Sequence, residues 1–76
     1  MKEIIETIAQ ALVDEPDLVS VKEIGGMNTS ILELRVAKAD VGKIIGRHGR
    51  TADALRTIVG AVSAKTKKRM LLEIMD

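Results

Sequence analysis

The chain predicts an α+β fold of order α-β-β-α-α-β, a three-stranded sheet packed against three helices. Three observations predict it. Apolar residues recur at helical spacing near the start and again after residue 50. Two stretches between residues 18 and 36 alternate apolar and polar side chains. Glycine clusters punctuate the chain between those patterns.

The first helix follows from Ile4, Ile8 and Leu12 at i, i+4, i+8, with Ile5, Ala9 and Val13 on the adjoining row. It ends before Pro16, because proline pushes the residue ahead of it out of helical geometry. Leu18 to Ile24 reads as a strand with Val19 and Val21 on one face. Gly25-Gly26-Met27-Asn28 supplies the turn of a hairpin. Its second strand is Ile31 to Val36, with Leu32, Leu34 and Val36 facing one way and Glu33 and Arg35 the other. Asp40 is placed to cap a short helix over Val41 to Ile45. A longer helix runs from Arg50 or Thr51 to Ala64. The basic stretch Lys65 to Arg69 then leads into a last strand carrying Leu71, Leu72, Ile74 and Met75.

Seventy-six residues leave room for one core, so the expectation is one domain over residues 1–76. That core is built from Ile, Leu, Val, Met and Ala, since Phe, Tyr and Trp are absent. Cysteine is also absent, which excludes disulfides, thiol nucleophiles and Cys-ligated zinc. The opening Ile4-Ile5 is flanked by Glu3 and Glu6 and does not read as a signal peptide, and no run is long enough to span a membrane. The expected location is the cytoplasm.

A net charge of +1 conceals a division along the chain. Residues 1–34 carry seven acids against two bases, a balance of −5. Residues 35–72 carry ten bases against two acids, a balance of +8. The second half therefore suits a polyanion.

The segment Lys43-Ile44-Ile45-Gly46-Arg47-His48-Gly49-Arg50 concentrates the chemistry. Two glycines three apart between helices allow a sharp turn and leave room for a ligand's backbone. The turn opens onto a helix N-terminus, where unpaired N–H groups and the dipole favour phosphate. Arg47 and His48 stand at the tip, Lys43 and Arg50 flank it, and Ile44 and Ile45 are placed to line a groove for bases.

Here the chain resembles the KH family, whose signature is an apolar pair followed by G-x-x-G between two helices; Ile44-Ile45-Gly46-Arg47-His48-Gly49 matches it. The element order is similar to the type II, prokaryotic version of the fold, and the likeness to small one-domain bacterial KH proteins covers essentially the whole chain. The resemblance implies that Lys43, Ile44, Ile45, Gly46, Arg47, His48, Gly49 and Arg50 bind single-stranded RNA, about four nucleotides being clamped at such a loop. It also implies an RNA chaperone or post-transcriptional regulator. A homodimer, or a heterodimer with a larger KH-containing protein, and a part in cell-shape and envelope regulation follow from the same likeness. Two departures stand out: Ala52 where many KH sequences carry a larger apolar residue, with Leu55 left to fill the space, and Asp53 near the phosphate path.

Competing readings fare worse. Folds that stack bases on aromatic rings are excluded by composition. Gly46 is not followed by the Lys-Ser/Thr pair of a nucleotide-binding P-loop. The lone His48 has no companions for a metal site or a catalytic triad, so neither an enzyme nor a cofactor is expected. A protein-interaction adaptor with incidental RNA affinity is the alternative function. The apolar arc Ala52, Ala54, Leu55, Ile58, Val59, Ala61, Val62 would serve it, or a two-fold dimer through Val59, Val62 or their neighbours. Two readings of Lys65, Lys67, Lys68 and Arg69 stay open: a second nucleic-acid patch some ~20 Å from the loop, or cations favoured by a helix C-terminus.

Overall fold

A computed structural model describes residues 1–75. Its elements are α1 (Lys2–Leu12), β1 (Ser20–Gly25), β2 (Thr29–Arg35), α2 (Val41–Ile45), α3 (Arg50–Thr66) and β3 (Arg69–Met75). The α+β fold class and the three-stranded sheet against three helices are as the pattern predicts.

The sheet runs in the order β1-β2-β3. β1 and β2 are antiparallel, with Val21 opposite Leu34, as a short turn allows. β2 and β3 are parallel, with Leu32 opposite Leu72, so the chain must cross back over the sheet between them. That crossover is α2, the glycine loop and α3. The fold thus hangs the loop at the end of the sheet where β2 finishes, and α3 returns the chain to the end where β2 begins.

One face of the sheet carries the core. Leu32, Leu34 and Val36 are buried with Val19, Val21 and Leu72, against Ile5 and Ala9 of α1, Ile44 of α2, and Leu55 and Val59 of α3. The alternation read from β2 is the alternation observed.

Several boundaries move, each for a local reason. Leu18 is not in β1: Pro16–Leu18 form a 3-10 turn, with Leu18 N–H donating to the Glu15 carbonyl at 3.0 Å. Proline favours this because its φ is already helical and it has no N–H to lose. β3 starts at Arg69, whose N–H donates to the Asn28 carbonyl at 3.0 Å and which pairs with Thr29. α3 continues to Thr66, so only Lys67 and Lys68 link it to β3. In α1 the buried row is Ile5 and Ala9; Ile4 and Leu12 are exposed, because the apolar arc is wider than the face the sheet covers.

Asp40 departs from expectation most usefully. It precedes α2 but makes no capping bond, because a 3-10 turn over Lys38–Asp40 runs directly into the helix. Its carboxylate, 2% exposed, instead accepts the Glu15 N–H at 3.1 Å. It therefore ties the start of α2 to the segment after α1.

Candidate nucleic-acid interface

α2 is five residues long and stops where Gly46 N–H donates to the Gly42 carbonyl at 2.9 Å. Gly46 then takes φ 76° and ψ 172°, a region open essentially to glycine alone. A Cβ at this position would also overlap the Thr51 side chain. The chain turns through Arg47–Gly49, closed by a Gly49 N–H to Gly46 carbonyl bond of 3.1 Å. His48 (φ 58°) and Gly49 (φ 75°) are both left-handed, and α3 begins at Arg50.

The two glycines have different work. Gly46 is required by its dihedral angles and by Thr51 packed against it. Around Gly49 a Cβ would meet nothing within 4 Å, so that side of the loop is open to an approaching ligand backbone.

Arg47, His48 and Arg50 are exposed around this opening, and Arg47 and Arg50 form no ion pair among the described residues. No side chain caps the first turn of α3, which leaves its amide end facing the same region. Cationic side chains and a helix N-terminus thus converge on one open turn, an arrangement that attracts phosphate.

Two residues expected at the interface are placed differently. Ile44 is 0% exposed and belongs to the core, so it does not line a groove; it anchors α2 and thereby the loop. Ile45, rotated about 100° around the helix, is 37% exposed and is the one available to a base. Lys43 is half-exposed but already engaged: its Nζ lies 3.1 Å from Asp14 and 3.8 Å from Asp40. The Asp14 carboxylate, by hydrogen bond and charge and with help from Asp40, raises the Lys43 pKa above its ordinary value, so the ammonium stays charged throughout the physiological range.

Asp14 and Thr51 are the contributors that sequence reasoning missed. Asp14 stands just beyond α1, and no periodicity pairs it with Lys43. Thr51 is a common helix-start residue, and only the built loop reveals that Gly46 rests against it. Ala52 and Leu55 are both buried, and Leu55 is part of the core. Asp53 is exposed in the first turn of α3. No group of three potential metal ligands occurs among the described residues.

A family model described as KhpA/KhpB, KH domain, matches residues 2–74. Similar curated proteins include the "RNA-binding protein KhpA" of Caldanaerobacter subterraneus subsp. tengcongensis, 53% identical over 99% of this chain and 100% of the relative. The protein of the same name from Borreliella burgdorferi is 55% identical over 97% of this chain and 90% of the relative. That from Aquifex aeolicus is 50% identical over 100% and 96%. No solved structure matches at a significant level.

Proposed function

We propose, from the premise that the chain belongs to the KhpA/KhpB KH-domain family, that it binds single-stranded RNA at the loop between α2 and α3. The observation that carries this reading is the left-handed turn at His48 and Gly49, which presents Arg47, His48 and Arg50 around a space that no side chain fills. The strand's phosphates lie along the loop and the N-terminus of α3, and a base rests against Ile45. Relatives that share about half of this sequence carry the name RNA-binding protein, which supports the ligand class.

One domain of this kind reads few bases, so its role is that of an RNA chaperone or post-transcriptional regulator of low sequence specificity. Useful affinity then calls for a second copy or a larger KH-containing partner. The cytoplasm is where its RNA would be met; among the described residues no helix is long and apolar enough to cross a membrane. A part in cell-shape and envelope regulation belongs to the same proposal.

The second-copy reading draws on α3. Of its apolar arc, Ala52, Leu55 and Val59 are buried, with Val59 only 1% exposed. Val59 therefore belongs to the core and cannot be the dimer contact. Ala54, Ile58 and Ala61 form an uncovered flank, Ile58 being 39% exposed, and this flank would meet the second copy. It would equally serve the adaptor reading.

The test is binding of short RNA oligonucleotides, by fluorescence anisotropy, to the parent and to the Arg47→Asp, His48→Asp double variant. Loss of affinity in a folded variant supports the loop; retention, with loss of protein partners in pull-downs by a folded Ile58→Asp variant, supports the adaptor.

A further inference from the structure

The turn between α3 and β3 has features that the glycine loop does not account for. Lys65, Lys67 and Arg69 are exposed within five residues, and none forms an ion pair among the described residues. Lys68 alone is matched, by Glu23 at 3.8 Å. Attraction to the negative end of a helix would account for cations inside the last turn of α3, such as Lys65. It does not account for Lys67, which is past the helix end in the left-handed conformation (φ 59°). Glycine is the usual residue at such a position, since any side chain there is disfavoured. His48 and Lys67 are the only non-glycine residues with positive φ among those described, one beyond each end of the same helix.

The turn is also rigidly built. Ser63 Oγ donates to the Lys68 carbonyl at 2.8 Å and accepts the Met70 N–H at 3.1 Å. Arg69 N–H is held by the Asn28 carbonyl at 3.0 Å. One hydroxyl thus bridges the turn from the helix side, and the neighbouring hairpin holds it from the other. With the backbone already fixed, only the lysine and arginine side chains remain to be ordered when the turn meets an anion.

We infer that this turn is a second RNA contact, in which Lys65, Lys67 and Arg69 take the phosphates of nucleotides beyond those gripped at the glycine loop. α3 has 17 residues and so separates the two sites by about 25 Å. That is farther than the roughly four nucleotides of a KH clamp are held, so the turn acts only on longer strands. The inference rests on the RNA-binding reading and adds a length dependence to it.

The experiment compares a uridine tetranucleotide with a uridine oligomer of roughly 12 nucleotides, within the range a single small domain can engage. The variant is Lys65→Gln, Lys67→Gly, Arg69→Gln, in which glycine suits the left-handed position. Tetranucleotide affinity is expected to stay within about twofold of the parent. Affinity for the longer strand should fall about tenfold, and its log–log salt slope should become shallower by about 2, at about 0.7 for each of three lost phosphate contacts. Lys67→Gly alone, which can only ease the backbone, should give part of the same length-dependent loss. Equal weakening on both lengths would reduce the turn to diffuse attraction and overturn the inference, as would no weakening on either. Capture of the parent by phosphatidylglycerol vesicles, lost in the triple variant with RNA binding unaffected, would assign the turn to a lipid surface and overturn it too. Failure of the loop reading looks different. The Arg47→Asp, His48→Asp variant would then bind both lengths like the parent, whatever the turn variant does.

Discussion

At Gly46 two independent constraints coincide, a backbone conformation reserved for glycine and a threonine side chain where a Cβ would sit. Gly46→Ala should therefore destabilise by at least the roughly 1–3 kcal/mol of such strain, read as a lower midpoint in urea unfolding. Gly49→Ala meets only the left-handed penalty of about 1–2 kcal/mol, so it should stay folded while intruding on the ligand's approach. An equal loss of stability from both substitutions would show that the two glycines are not specialised in this way. Asp40 and Asp14 separate similarly. Asp40→Ala leaves the Glu15 N–H without its acceptor, at about 1–3 kcal/mol, and lowers the thermal midpoint. Asp14→Asn removes only an exposed partner and frees Lys43 for phosphate. Stability should hardly change, RNA affinity should rise, and the salt slope should steepen by roughly 0.7. Unchanged or weaker binding would mean that Lys43 serves to hold α2 rather than to meet RNA. The glycine turn was readable from the sequence, but the partners around it were not: Asp14 and Lys43 are distant along the chain, and an apolar pair such as Ile44-Ile45 does not say which member faces inward.

The elements themselves were far more readable, because their signals are local. Leu32, Leu34 and Val36 alternate, and their side chains face the core as alternation requires. Val41–Ile45 is helical over the range its glycine stop implied. What periodicity cannot supply is how much of an apolar arc its neighbours cover. In α1 and α3 that arc is wider than the buried stripe, and the remainder is visible only once the sheet is in place. On α3 the distinction can be tested by two adjacent substitutions. Val59→Asp should abolish folding, because a charge would enter the core. Ile58→Asp should fold and, if the flank joins two copies, sediment as a monomer where the parent sediments as a dimer. A parent that is monomeric at high micromolar concentration would remove the homodimer and leave the flank to a different protein.

Across the whole molecule, the parallel pairing of β2 and β3 is what positions the candidate interface. It forces a helix–loop–helix crossover, places the glycine loop at one end of α3, and returns a basic turn at the other. The near-neutral total charge says nothing of this, whereas the division between acidic and basic halves anticipates it. On a tetranucleotide, engaged by the loop alone and carrying only its internucleotide phosphates, the log–log salt slope should correspond to about two to three phosphate contacts, or roughly −1.4 to −2.1. A slope near zero would indicate apolar capture in place of phosphate binding.

The loop claim is tested most directly by the affinity of the Arg47→Asp, His48→Asp variant for single-stranded RNA, with circular dichroism recorded on the same sample. Both side chains are exposed on a turn whose backbone is set by the glycines, so the variant should keep the parent's spectrum and thermal midpoint within a few degrees. Two carboxylates facing the phosphates should weaken binding at least tenfold on short and long strands alike. A folded variant that binds RNA as tightly as the parent would contradict the assignment of the Gly46–Gly49 loop as the RNA grip.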